Sequence, residues 1–454
     1  MFDGGMEGFV PERYVQRLGG DQIVGAWDKH NEAALLFLDL AGFSALTEQL
    51  SEMGEEGAAA MLAHVNEHFG SWIALVERWG GDVLRFAGDA LIVAWVVREE
   101  GVTDLGHACS LAACCALEIA QESNDENAES WGKARIGLVG GDVRVCCVGG
   151  VEERWECVTM GSVFATLKDV MRCVGVGEVG CSSQVQEHLV QEGIQWARQE
   201  RTDAQKQTDT LHEKPTDAQH VAVLSLEQDL WRPYPDTEQA VQRASQKSLD
   251  AYLPEVVPQR LAYGRSWLAE MRSATVLFLR LEGVFEESRD FAQIQRITRA
   301  LQEELLQYEG ALDKLWVDEK GAFALVGFGV PPSPEDQAEH RALLAAQGIQ
   351  QRMEVLGCHV HVGVASGRLF CGPVGNLERC EYTLMGRPVN LAARLMQRAE
   401  NEILCDAHTL HKAQESATVH IEWLDNMALK GFSRTTTPAR VRHISAEKTW
   451  LPWH

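Results

Sequence analysis

Basic side chains are scarce in this sequence: 41 Lys and Arg stand against 66 Asp and Glu in 454 residues, a formal net charge of -25. Proteins that wrap nucleic acid or bind anionic membranes draw much of their affinity from clustered Lys and Arg, so this balance excludes both as general partners. Small polyanionic ligands stay open, because a local basic pocket fits inside a negative envelope. Long apolar runs are also missing. None approaches the roughly 20 residues of a membrane span, and no membrane insertion is expected. The first residues carry Asp3 and Glu7 where a secretory signal needs a basic start and an apolar core. No CxxC or CxxxH spacing supports a zinc centre. The 12 cysteines are spread over the chain and fall mostly in apolar stretches. The neighbours Cys114–Cys115 and Cys146–Cys147 are poorly placed to bridge each other. Buried reduced thiols follow, and with them the expectation of a cytoplasmic, soluble protein.

What is present is a globular composition, 45% hydrophobic, 24% charged and 7% aromatic. At about 100 to 200 residues per domain, this length predicts two or three domains. Self-similarity narrows the number. Residues 34–43 read ALLFLDLAGF and 274–285 read ATVLFLRLEGVF, each a buried-strand pattern with a glycine just after. A longer pair follows: RIGLVGG with CCVGGVEERWECVTMGSVF from Arg135, and HVGVASG with FCGPVGNLERCEYTLMGRPVN leading to Asn390. Gly137 answers Gly363, and Met160-Gly161 answers Met385-Gly386. Between the copies, roughly Gln199 to Leu249 is rich in Gln, Asp, Thr and Lys and reads as a linker. Helical composition marks His107–Gln121 and Leu391–Asn401, and strand composition marks Leu91–Val97 and Ala322–Val326. Two α+β domains paired about a pseudo-twofold axis are the simplest architecture. The expected division is an N-terminal segment (1–30), a first domain (31–198), a linker (199–265), a second domain (266–445) and a tail (446–454).

Asp39 leaves the first apolar run just as Gly42 turns the chain, where backbone amides can face an anion. Fifty residues on, GGDVLRFAGDA predicts a strand, a tight turn at Asp89 and a second strand. Two carboxylates at neighbouring strand ends suit a pair of oxygen-liganded divalent ions. Asp is also common in turns for its own sake, so spacing alone leaves both readings open. The second copy replaces Asp39 with Arg280 in the same frame, as a functional rather than a structural carboxylate would allow. The Gly80-Gly81-Asp82 triplet invites comparison with diguanylate-forming cyclases, but Val83-Leu84 breaks that motif.

Taken in order, LLFLDLAGFSALTE, GGDVLRFAGDALIVAW, ARIGLVGG, LDKLWVDEKG, VGVASGRLFCGPVGNLERCEYTLMGRPVNLAARL and ALKGF resemble the class III nucleotide cyclases, and among them the bicarbonate-regulated soluble adenylyl cyclases. The resemblance runs from about Leu35 to Phe432. It implies two ferredoxin-like α+β catalytic domains forming an intramolecular pseudo-heterodimer that functions as a monomer. Members of that group continue into a nucleotide-binding domain and a repeat region, so this chain is expected to be the catalytic pair alone or a fragment. The implied reaction converts ATP to 3′,5′-cyclic AMP and diphosphate with two Mg2+ or Mn2+ ions. Asp39 and Asp89, with the Leu40 carbonyl, match the metal ligands. Ala41, Gly42 and Phe43 match the turn whose amides contact phosphates, and Arg135 a cationic phosphate-binding position. Lys314 and Thr383, with the Leu384 backbone, match the adenine readers. Asn390 matches the ribose-orienting asparagine, Arg394 the transition-state arginine, and Lys430 a lysine reaching toward the triphosphate.

The residue chemistry agrees. Asn390 and Arg394 are four apart in a helical sequence and share one face. The first copy has Ala165 and Asp169 there, so only one of two clefts is expected to be catalytic. A lysine ammonium and a threonine oxygen suit the adenine edge, which favours ATP over GTP. No dedicated protein base stands out for the ribose hydroxyl. In the second cleft the resemblance implies a bicarbonate site acting as activator, here falling on Arg85, Thr159 and Lys168. The lysine and arginine of that site have exchanged places, so a bidentate fork sits where a point charge is usual. The competing readings are a non-catalytic nucleotide- or anion-sensing module derived from a cyclase, and a guanylate cyclase.

Overall fold

A computed structural model of the chain describes residues 5–11, 25–42, 54–97, 101–124, 132–192, 199–200, 222–223, 249–264, 268–285, 289–318, 320–429 and 435–445. The first half runs β1 (Trp27–Leu40), α1 (Gly54–Arg78), β2 (Asp82–Ala87), β3 (Ala90–Val96), α2 (Leu105–Ser123), β4 (Ala134–Val151), β5 (Arg154–Met160), α3 (Val163–Cys173), β6 (Val179–Cys181), α4 (Ser183–Gln191), β7 (Gln199–Glu200) and β8 (Ala222–Val223). After α5 (Val256–Leu261) come β9 (Glu270–Glu282), α6 (Phe291–Gln307), β10 (Ala311–Asp318), β11 (Gly321–Phe328), α7 (Ala338–Val355), β12 (His359–Gly375), β13 (Cys380–Met385), α8 (Arg387–Met396), β14 (Ile403–Cys405), α9 (Ala407–Gln414), β15 (Thr418–Trp423) and β16 (Ala439–Ser445). Among the described residues no helix is long and apolar enough to cross a membrane.

The duplication read from the sequence is present strand for strand. One sheet has the order β2-β3-β1-β4-β6-β8-β7 with β5 on β4; the other has β10-β11-β9-β12-β14-β16-β15 with β13 on β12. Register fixes the equivalences. Phe37 lies between Ile92 and Gly137, and Phe278 lies between Leu325 and Gly363. A bulge interrupts the edge hairpin at the same place in each half, between Val83 and Arg85 and between Leu312 and Lys314. Arg85 and Lys314 are therefore counterparts. The apolar runs become central strands because both their faces are covered; Ala33 to Leu38, and Val276, Leu277 and Leu279, are buried. Each run ends in a glycine turn, Gly42 at φ 84° and Gly283 at φ 66°, a conformation that other residues adopt only at a cost.

The halves share a core. Val145 and Cys147 of the first pack with Val276, Leu369 and Tyr382 of the second, and Phe9, Leu253 and Val257 close over them. Polar contacts lock the same interface. Gln295 donates to the Gly149 carbonyl and accepts from its amide, both at 2.8 Å, and Arg144 holds Asp28 while donating to the Arg289 carbonyl.

Two sequence expectations shift. Gln199–Glu200 and Ala222–Val223, inside the expected linker, are strands of the first sheet, paired through β6, and Val256–Leu261 is helical. Such short strands are recruited by backbone ladder bonds, and two residues are too few to give a pattern to read. The expected helix over Leu391–Asn401 starts earlier, at Arg387, and stops at Met396. Asn401 then turns at φ 52° and its carboxamide accepts the Val360 amide at 3.0 Å, feeding the chain into β14.

Helix α8 lies on β12 at a distance only glycine allows. A Cβ on Gly363 would stand 1.9 Å from the Ala392 carbonyl oxygen and 2.5 Å from the Met396 nitrogen, both backbone atoms of α8. At the counterpart Gly137 the obstacles are the Met171 sulfur at 2.6 Å and Leu167 side-chain atoms, which can move. Gly363→Ala is therefore expected to cost about 3 kcal/mol and Gly137→Ala about 1 kcal/mol. Thermal unfolding of the two variants checks the order; equal losses would contradict the packing argument.

Candidate active site

The two aspartates flagged by the sequence are brought side by side. Asp39 pairs in register with Ala90, so the hairpin residue Asp89 lies directly beyond it, and the Leu40 amide donates to the Asp89 carbonyl at 3.0 Å. The half-buried Asp89 carboxyl is pushed up to about 7, first by burial and then by repulsion from Asp39. Opposing influences come from Lys320 and from Arg394, both in the second half of the chain. An all-oxygen pair crowded in this way, with the Leu40 carbonyl at the end of β1, is a donor set that fits hard divalent ions. Among the described residues no group of three or more His, Cys, Asp or Glu could hold a metal, so a bound ion would complete its shell with other oxygens.

Arg135 faces this pair from β4. Its guanidinium makes an ion pair with Asp39 Oδ2 at 2.8 Å. Ala41 is tied to the Lys133 carbonyl at 3.0 Å, and Gly42 is exposed at the turn. Phe43 and Lys430 lie outside the described residues.

Across the interface, β10 and β13 carry the second group. Lys314 is buried, and its ammonium donates to the Phe86 carbonyl at 2.8 Å. Phe86 sits on β2, three residues before Asp89, so Lys314 is tied to the strand that leads into the Asp89 hairpin. Thr383 and Leu384 are buried on β13, and the Leu384 amide donates to Asp313, the neighbour of Lys314, which draws β10 against β13. Asn390 and Arg394 lie four residues apart on α8, which begins with Pro388 in its first turn. Arg394 donates to Gln397 at 3.0 Å in addition to acting on Asp89.

The other cleft is nearly closed. A cavity of only about 20 Å³ remains, lined by Leu84, Arg85, Thr159, Phe164 and Trp316 among others. Arg85 is turned to Glu381, which accepts from it at 2.8 Å, and to the carbonyls of Cys157 and Leu315. Lys168 is exposed on α3 and does not line this cavity. The structure thus joins Arg85 to Thr159 but leaves Lys168 outside.

Sequence reasoning missed two groups. Lys320, at the tip of the β10–β11 hairpin, contributes positive charge at Asp89. Glu381 accepts the Phe86 amide at 2.8 Å, takes Arg85 and lies 3.8 Å from Lys314. Burial opposes its ionisation, but Lys314, Arg85 and Arg379 outweigh burial and hold it at about 2. A glutamate inside the apolar strand CEYTLM was the available signal, since a buried charge needs partners.

With the geometry in place, comparison gives consistent relatives. The family model described as adenylate and guanylate cyclase catalytic domain matches residues 26–210. Adenylate cyclase type 10 from Homo sapiens is 27% identical over 411 residues, covering 83% of this chain and 24% of that protein. The Oryctolagus cuniculus protein of the same name is 26% identical over 410 residues. The chain therefore spans about a quarter of the length of these curated relatives. A crystal structure of a class III adenylyl cyclase-like ATP-binding protein from Pseudomonas aeruginosa superimposes with a TM-score of 0.54 over 85% of each chain, at 9% identity. That likeness extends the fold to both halves.

The crowding at Asp89 has a measurable sign. Its carboxyl titrates at about 7 when folded, against an ordinary 3.8. Between those values the folded protein holds a proton that the unfolded chain lacks, and the associated stability is lost as pH rises through about 7. In metal-free buffer with chelator, Asp89→Asn should unfold at a higher temperature than wild type at pH 8, with the gap narrowing at pH 5.5. A gap independent of pH would show that Asp89 is not crowded.

Proposed function

From a chain that carries a class III nucleotide cyclase domain over residues 26–210 and repeats that fold in its second half, we propose an adenylate cyclase that converts ATP to 3′,5′-cyclic AMP and diphosphate. The observation that carries the reading is convergence across the interface: the Asp39–Asp89 pair of one half lies within electrostatic reach of Arg394 from the other. Divalent ions held by Asp39, Asp89 and the Leu40 carbonyl would lower the pKa of the ribose 3′-hydroxyl and shield the triphosphate. Asn390 orients the ribose. Arg394 meets the negative charge that develops as the hydroxyl oxygen attacks the α-phosphorus in line with departing diphosphate. Arg135 leaves Asp39 to contact a phosphate oxygen, and the amides of the Ala41–Gly42 turn face the same group. Lys314 and Thr383 face the adenine edge, an ammonium for its ring acceptor and a hydroxyl oxygen for its exocyclic donor. The soluble, cytoplasmic setting and a monomer working through its internal pair belong to this same reading.

A non-catalytic nucleotide-sensing module is the second reading, and the Arg135–Asp39 ion pair favours it, because that contact competes with a metal for one carboxylate oxygen. Turnover decides between them. Purified protein with Mn2+ or Mg2+ should form cyclic AMP from ATP and far less cyclic GMP from GTP, with products identified by mass. Asp39→Ala or Arg394→Ala should lower the rate at least 100-fold. Full activity in either variant overturns the assignment, ATP binding without turnover supports the sensing module, and preference for GTP makes the chain a guanylate cyclase.

The degenerate cleft as a bicarbonate-responsive site has Arg85 and the Thr159 hydroxyl in its favour. Against it stand the volume of about 20 Å³, room for little more than a water molecule, and the commitment of Arg85 to Glu381. Replacing chloride by bicarbonate at matched pH and ionic strength is therefore expected to change the rate less than about twofold. Stimulation of several-fold would mean that the Arg85–Glu381 pair opens to admit the anion.

A further inference from the structure

A second cavity, of about 560 Å³, is lined by segments of both halves of the chain. Its walls come from the β4–β5 hairpin, from β10 and β13, from the turn at Phe9–Pro11 and from the 251–255 segment. None of Asp39, Asp89, Lys314, Thr383, Asn390 or Arg394 lines it, although Leu384 and Arg85 do, so it adjoins the two clefts described above without containing their aspartates or α8 residues. Its size falls in the range that encloses a drug-sized molecule.

The charges on its walls are unequally matched. The three arginines are all committed. Arg85 bonds Glu381; Arg379 donates to the Val83 carbonyl at 2.9 Å and to that of Cys380; Arg154 donates to the Asp250 carbonyl at 2.6 Å and to that of Leu253. The carboxylates Glu156 and Asp313, by contrast, make no ion pair among the described residues. Asp313 accepts the Leu384 amide with one oxygen, while Oδ2 is buried with no hydrogen-bond partner. Burial pushes both carboxyls up to about 7, and the nearby Glu381 adds to the effect. The cations nearby, Arg85 and Arg154 for Glu156 and Lys314 and Arg85 for Asp313, pull the other way but do not outweigh burial. The aromatic rings of Phe9, Trp155, Tyr252 and Tyr382 stand on the same walls, and such faces attract cations as well as apolar groups.

We propose that this interdomain cavity binds a small organic cation, an amine with an aromatic or aliphatic body, whose ammonium is met by Asp313 and Glu156. A simple metal ion would leave the apolar walls unfilled, and an anion would face the two unpaired carboxylates. Because Glu381 is a wall of this cavity and also a partner of Lys314, an occupant shares a carboxylate with the nucleotide cleft. The binding proposal itself does not rest on the catalytic reading and is tested without turnover.

The probe is dansylcadaverine, a primary amine on an environment-sensitive ring system, titrated by fluorescence into the full chain beside its N-acetylated, uncharged form. Saturable one-to-one binding is expected, at least tenfold weaker for the acetylated form. Asp313→Asn and Glu156→Gln should each weaken the amine at least tenfold, while Asp313→Glu, which keeps the charge, should retain it. Unfolding temperatures of each variant identify any loss of binding that comes from misfolding. Equal affinity for the two probes, unchanged affinity in both folded neutral variants, displacement by excess ATP, or no saturable binding would each overturn the proposal.

Discussion

One buried carboxylate sets the register of the whole molecule. Glu381 takes the Phe86 amide and the Arg85 guanidinium from the first half and lies beside Lys314 from the second. A carboxylate withdrawn from water costs several kcal/mol unless each lone pair finds a donor, and removing its partners costs about 3–5 kcal/mol. A slip of the two halves by one strand position would strip Glu381 of its first-half donors at once. Lys314 is held at Phe86 by the same arrangement, so the fit of the domains and the placement of Lys314 follow from a single contact.

The duplication makes the asymmetry around that carboxylate instructive. Glu156 stands opposite Val148 on β5, and Glu381 stands opposite Val374 on β13, equivalent positions in the two copies. Yet the cations gather on one of them. Glu381 stays ionised with Arg85 and Lys314, whereas Glu156 faces the large cavity without an ion pair. The same division holds at the strand ends. Where the first half pairs Asp39 with Arg135, the second pairs Arg280 with His361 in register. Two copies of one fold have diverged until one cleft collects carboxylates and cations and the other has closed to a few ångströms.

Much of this was legible in the sequence because it is local or periodic. Asp39 and Asp89 stand out at strand ends next to glycines that turn the chain, and Asn390 and Arg394 through helical spacing after a proline. That the two sheets share one strand order follows from the repeated motifs. What stayed hidden depends on pairing between distant segments. Glu381 reads as a stray charge in a strand until Arg85, 296 positions away, is placed against it. Strands of two residues at 199–200 and 222–223 carry no alternation, since the ladder recruits their backbones and ignores their side chains. The exposure of Lys168 is of the same kind: its neighbours on α3 announce a helix, but only packing decides which face is covered.

The acid excess, finally, has to be reconciled with the proposed triphosphate ligand. At physiological ionic strength the field of a distant surface charge fades within about 8 Å, so what an anion meets in a cleft is the local set of groups. Around the Asp39–Asp89 pair that set includes Arg135, Lys320 and Arg394, with Lys314 bonded to the Phe86 carbonyl of β2. Part of the acidic surplus also points inward. Glu156, Asp313 and Glu381 lie between the halves rather than on the outer surface, where they shape the interface and its cavity. A chain with a formal charge of -25 can therefore repel extended polyanions while keeping, at the Asp39–Asp89 pair, a site of balanced charge that suits the proposed nucleotide.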